Sequence, residues 1–208
     1  MVCTLRRLGI RLWAGLAALA ALGAPLSSAP PVAAYVAVDL ELVLAVDVSR
    51  SMDFDEQVLQ RGGYVSAFRH PSVIAAIRRA AHGRIAVTYM EWAGFELQTI
   101  VTPWILVDGK ATAAEFARSL AQAPIQDMRQ TSISGGLIFA SRLFNANGFK
   151  GTRRVIDISG DGPNNTGIPV TAARDLVVAS GIIINGLPVM LHRQSTGYYD
   201  IENLDAFY

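Results

Sequence analysis

Asp47, Ser49 and Ser51 set three oxygen side chains at alternate positions along five residues. One carboxylate and two hydroxyls suit a hard cation that prefers oxygen, such as Mg²⁺. The same stretch also suits a polar loop whose serines cap a following helix. It directly follows residues 40–46, which are apolar except for Glu41. A short continuous apolar run reads as a parallel strand buried on both faces. The three oxygens therefore stand where a buried strand leaves its sheet. In open α/β sheets, ligands bind outside the carboxyl ends of the strands.

The remaining elements decide what else can reach that point. Asp53, Asp55 and Glu56 open a helix that runs to about His70, and the two aspartates read as first-turn acids rather than extra ligands. A second short helix starts at Ser72 and ends at Gly83. Residues 84–92 and 98–104 read as strands. Too few residues separate them for a helical crossover, so they should pair antiparallel, with Pro103 marking an edge. A helix over 112–123 has Thr112 as its expected cap. A polar connector through Thr131 leads to a helix over 133–145, where Gly135 and Gly136 point to close packing against a neighbour. A strand over 155–159 runs into Gly160, Asp161 and Gly162. A helix over 170–180 is ended by Gly181, and a strand over 182–184 follows, with Asn185-Gly186 as a turn or bulge signal. The order β-α-β-β-α-α-β-α-β predicts an α/β fold, Rossmann-like: a doubly wound, mainly parallel sheet with one antiparallel edge strand and helices on both faces.

Composition sets the class. A chain of 208 residues with 51% hydrophobic and 17% charged residues can bury a sizeable core. Part of the apolar content belongs to the start. Arg6, Arg7 and Arg11 precede an uncharged run from Leu12 to Leu26, and small residues follow to Ala34. That is the order of a secretory signal peptide over residues 1–34, cleaved after Val32-Ala33-Ala34, and it predicts a periplasmic or secreted protein. An uncleaved membrane anchor is the alternative, though the run is short for a span. The expected mature domain covers residues 35–208 and contains no further candidate span. Removing three arginines and no acid takes the formal net charge from +1 to about −2. A mildly acidic chain without a basic run argues against a nucleic-acid partner. Cys3 lies in the expected leader, so the mature chain would carry no disulfide.

Thr131 lies just before a helix, and Asp161 just past a buried strand that can neighbour the first. In this fold Asp47, Ser49, Ser51, Thr131 and Asp161 would meet in one crevice. This set of Asp-x-Ser-x-Ser, then Thr, then Asp resembles the metal-ion-dependent adhesion site (MIDAS) of von Willebrand factor type A domains. With Glu91-Trp92, the stretch Ser159 to Asn165, and Asn185 to Pro188, the chain from about Val38 resembles a family of uncharacterised, mostly exported bacterial proteins grouped with those domains. The resemblance implies that Ser49 and Ser51 bind the metal directly. It implies that Thr131, Asp47 and Asp161 bind directly or through water. It also implies a further strand and a C-terminal helix, which the chain is expected to lack.

Two functions fit these residues. The first is a non-catalytic binding module that uses Mg²⁺ (or Mn²⁺ or Ca²⁺) to hold a carboxylate of a protein ligand. Hydroxyl ligands leave the ion's charge poorly neutralised, which favours an outside anion. The second is a Mg²⁺-dependent hydrolase of phosphate esters. An aspartyl-phosphate enzyme would want an acid where Ser49 stands, which favours the binding module. His70, His82 and His192 lack metal-ligand spacing, and no glycine-rich phosphate loop follows the first strand.

Overall fold

The computed structural model describes residues 35–126 and 128–189. The expected leader, Asp127, His192 and the expected C-terminal truncation lie outside the described residues. Within them the order is β1 (Val36–Asp47), α1 (Phe54–Arg69), α2 (Pro71–Arg78), β2 (Ile85–Trp92), β3 (Gln98–Val107), α3 (Lys110–Gln122), α4 (Ile133–Arg142), β4 (Phe149–Gly160), α5 (Val170–Ala179) and β5 (Ile183–Pro188).

The strands form one sheet in the order β3-β2-β1-β4-β5. β1 is central and runs parallel to both β2 and β4, with Leu42 opposite Val87 on one side and Val155 on the other. β4 and β5 are parallel, and β2 and β3 antiparallel. Successive side chains of a strand point to opposite faces. Val43 and Ala45 therefore pack with Met90, Trp92 and Ile158 under α4 and α5. Leu44 and Val46 pack with Val87 and Tyr89 under α1, α2 and α3. The continuous apolar run of β1 is what a strand covered on both faces requires. Glu41, its one acid, is buried but satisfied: the Gly151 backbone N–H donates to Oε1 (2.6 Å) and Asn147 Nδ2 donates to Oε2 (2.6 Å).

Several boundaries differ from the sequence reading. α3 begins at Lys110 with Gly109 as its N-cap, so Thr112 is the third helical residue. Its Oγ1 still accepts from the backbone N–H of Asp108 (3.0 Å) and Gly109 (3.2 Å), which explains the cap-like signal. α4 ends at Arg142 rather than Asn145. β4 starts six residues before Val155, because its polar first half pairs with the start of β1. Asn185 and Gly186 do not turn. They lie inside β5, and Asn185 Nδ2 donates to Asp157 Oδ1 (2.7 Å) across the sheet.

Candidate metal centre

β1 ends at Asp47, between Trp92 of β2 and the carboxyl end of β4, so the carboxylate is fully buried. The chain then turns. The Ser49 backbone N–H donates to Asp47 Oδ1 (2.7 Å), and Met52 N–H donates to the Ser49 carbonyl (3.0 Å). This turn aims both serine hydroxyls the same way: Ser49 Oγ and Ser51 Oγ are 2.9 Å apart. Ser51 Oγ donates to Asp161 Oδ1 (2.6 Å), from the loop after β4. Four of the five candidate ligands thus form one hydrogen-bonded chain.

Thr131 is buried on the connector between α3 and α4. That connector is tied to the first loop where Met128 N–H donates to the Val48 carbonyl (3.1 Å). Asn165 braces it from the third loop: its Oδ1 accepts from Thr131 N–H (2.9 Å), and its own N–H donates to the Thr131 carbonyl (2.8 Å). Gly162 faces both sides, since a Cβ there would stand 3.6 Å from Ser51 Oγ and 3.7 Å from Thr131 Oγ1. Asn164 Oδ1 accepts from Ser134 N–H (3.1 Å), which fixes the start of α4. Asn164 and Asn165 thus tie the second and third loops together, as does Ser132 Oγ, which donates to the Thr166 carbonyl (2.8 Å).

The serines do not cap α1. Asp53 does: its Oδ1 accepts from Glu56 N–H (2.9 Å), and Glu56 Oε2 accepts from Asp53 N–H (2.8 Å). The capping alternative for Ser49 and Ser51 therefore falls: the Ser51 hydroxyl meets Asp161, and the Ser49 hydroxyl meets Ser51. Burial pushes the Asp47 carboxyl up to about 7, with the Asp161 charge adding to the rise and hydrogen bonds from Ser49 opposing it. Asp47 Oδ2 is buried with no hydrogen-bond partner among the described residues. A buried carboxylate oxygen without a partner is costly and calls for an explanation. A cation beside it supplies one. The donor set is poor in acids: among the described residues no group of three or more His, Cys, Asp or Glu could hold a metal. Two carboxylates and three hydroxyls are the oxygen donors that suit a hard divalent ion.

Glu91 and Trp92 do not line this surface. Trp92 is buried core under α4, where a Cβ on Gly136 would stand 3.0 Å from its Cγ. Glu91 is buried in an ion pair with Arg61 of α1. Arg61 Nη1 also donates to the carbonyls of Ala123 (2.6 Å) and Pro124 (3.1 Å), at the start of the Thr131 connector. Arg61 was not foreseen. Its one sequence signal is its place four residues after Gln57, which is buried on the same helix face.

The fold is that of a von Willebrand factor type A-like domain. It is similar to proximal thread matrix protein 1 from the mussel byssus, solved with a zinc-occupied MIDAS motif (TM-score 0.54, 15% identity, covering 74% of this chain and 36% of that one). It is also similar to the pilus adhesin SpaC from Lactobacillus rhamnosus GG (TM-score 0.54, 13% identity, covering 78% of this chain and 26% of that one). The chain thus spans well under half of either protein, and at these identities the likeness shows the fold. A comparison with curated proteins returned no match. The chain belongs to the family described as "Protein of unknown function (DUF1194)", whose model matches residues 37–208.

Proposed function

We propose that this chain is an exported, non-catalytic binding module. It holds a divalent cation (Mg²⁺, or Mn²⁺ or Ca²⁺) through Asp47, Ser49, Ser51, Thr131 and Asp161, and uses it to capture an acidic group on a protein partner. The observation that carries this reading is the buried, partnerless Oδ2 of Asp47 beside the joined oxygens of Ser49, Ser51 and Asp161. The zinc-occupied MIDAS of the mussel protein lends it support. When bound, the ion supplies a Lewis-acidic site for an outside anion. The protein's residues hold the hydroxyls in place, exclude bulk water from Asp47, and position Thr131 through Asn165.

Ser49 stands where an aspartyl-phosphate hydrolase would carry an acid, which favours binding over catalysis. The basic start, apolar run and small residues of 1–34 support export to the periplasm or beyond. Among the described residues, no helix is long and apolar enough to cross a membrane.

Calorimetric titration of the protein with Mg²⁺ and Mn²⁺, beside Asp47→Ala and Ser49→Ala, tests the assignment. Binding by the wild type and its loss in both variants is expected. Equal binding in all three removes the site. Metal-dependent turnover of a phosphate ester, abolished by Asp161→Ala, would establish the hydrolase instead.

A further inference from the structure

Arg61 points inward although it lies on a surface helix. Its side chain is 7% exposed, and its guanidinium joins α1 to two other elements. Nη2 donates to the Glu91 carboxylate of β2, and Nη1 donates to the carbonyls of Ala123 (2.6 Å) and Pro124 (3.1 Å) at the end of α3. Holding α1 against α3 does not require this arrangement, because Phe68 and Phe116 already pack there with ring centroids 4.5 Å apart. Stability is a poor reason for it too. Glu91 Oε2 is buried with no hydrogen-bond partner among the described residues, and apolar residues of similar size often replace a buried ion pair without loss.

What apolar residues cannot do is bond two carbonyls. The last carbonyls of a helix lack partners inside it, and a cation near them is favoured. α3 has no basic residue in its last turn, so Arg61 brings that charge from another helix. It thereby fixes the direction in which the chain leaves α3 and enters the connector to Thr131. Farther along, Met128 pairs with Ser49 and donates its N–H to the Val48 carbonyl (3.1 Å). Glu91 ties the connector's start to the same frame. It directly precedes Trp92, whose carbonyl accepts from Val48 N–H (2.9 Å), and Ala93, whose carbonyl accepts from Ser132 N–H (2.6 Å). The end of β2 therefore holds the first metal loop, the far end of the connector and, through Arg61, its near end.

We propose that Arg61, oriented by Glu91, is a positioning residue of the metal centre. By clamping the connector where it leaves α3, it sets how Met128 meets the Ser49 loop and where Thr131 stands. Its effect on metal affinity rests on the metal-binding reading; the clamp itself does not.

The test compares the full chain as wild type, Arg61→Met/Glu91→Leu, Arg61→Lys and Val38→Ala. The double variant removes both charges together, so none is stranded. Lysine keeps a cation for Glu91 but lacks the planar fork that serves two carbonyls as well. Val38 is buried near the start of β1, at the opposite end of the sheet from the metal loop, so Val38→Ala destabilises without touching the connector. Urea denaturation, Mn²⁺ affinity by electron paramagnetic resonance and metal-free amide shifts are measured for each. The double variant is expected to unfold close to the wild-type midpoint yet bind Mn²⁺ about tenfold more weakly, the low end of what losing support around metal ligands costs. Its Met128 and Thr131 amides should shift. Arg61→Lys should recover part of the affinity, and Val38→Ala should keep all of it. Wild-type Mn²⁺ affinity in the double variant, or an equal loss in Val38→Ala, overturns the proposal. Should the double variant fail to fold, Arg61→Lys decides: weaker Mn²⁺ binding than Val38→Ala supports the clamp, and equal binding overturns it. If the wild type binds no Mn²⁺, the metal reading fails and the amides decide alone. Shifts confined to α1, β2 and α3, with Met128 and Thr131 unmoved, then overturn the clamp.

Discussion

Two glycines in helices offer a matched experiment on how the Thr131 connector is seated. Gly62 lies in mid-α1, and a Cβ there meets nothing within 4 Å. Gly135 lies in the first turn of α4, and a Cβ there would stand 2.7 Å from the Phe95 carbonyl oxygen and 2.9 Å from its Cα. Both obstacles are backbone, so the β2–β3 turn or α4 must move. Gly→Ala in a helix gains about 0.5–1 kcal/mol from backbone entropy. Gly62→Ala should therefore stabilise by about that amount. Gly135→Ala gains no more than this and adds an overpacking cost of about 1–3 kcal/mol. The propensity gain largely cancels between the variants, so their difference approximates the packing cost. Urea denaturation reads it directly: with a slope of about 1–3 kcal/mol/M, the midpoints should lie on the order of 1 M apart. Ser132 N–H donates to the Ala93 carbonyl (2.6 Å), two residues before Phe95. Displacing this turn should also shift Thr131 and weaken Mn²⁺ binding several-fold. A Gly135→Ala protein as stable as Gly62→Ala would refute the close seating of α4.

Arg61→Met strands the buried Glu91 carboxylate and should cost about 3–5 kcal/mol in urea denaturation. Adding Glu91→Leu should restore most of it, short by about 1 kcal/mol for the lost donor to Ala123 and Pro124. Burial raises the Glu91 carboxyl above its ordinary value while Arg61 opposes the rise, so the Arg61→Met penalty should grow as pH rises above about 4.5. For Asp47, the folded carboxyl at about 7 lies above the unfolded value of 3.8. Metal-free stability from this group is therefore greatest below pH 4 and falls as pH rises to 7, by up to about 4 kcal/mol. Comparing wild type with Asp47→Asn across that window isolates the slope, and Mg²⁺ should flatten it in the wild type alone.

The sheet was legible because its signals are local. Apolar runs marked β1, β2 and β4, and the short gap between residues 92 and 98 fixed the antiparallel edge. Residue type and chain order alone also placed Ser49, Ser51 and Asp161 at one sheet edge. What stayed hidden depends on long-range partners. The polar start of β4 has no strand periodicity of its own and is held by β1. Asn185-Gly186 carries a turn signal that the β4 neighbour overrides. Arg61 reads as a surface arginine until Glu91 arrives from another element 30 residues away. Asn164 and Asn165, beside Pro163, fit either a turn or a partner-facing position by residue type, and only the tertiary fold shows that they tie down Ser134 and Thr131.

The most direct measurement is anomalous diffraction from crystals of the protein soaked in Mn²⁺. The expected result is one strong peak within coordination distance of the Ser49 and Ser51 hydroxyls, facing Thr131 and Asp161. Full Mn²⁺ occupancy elsewhere on the protein, with none between these side chains, would contradict the account.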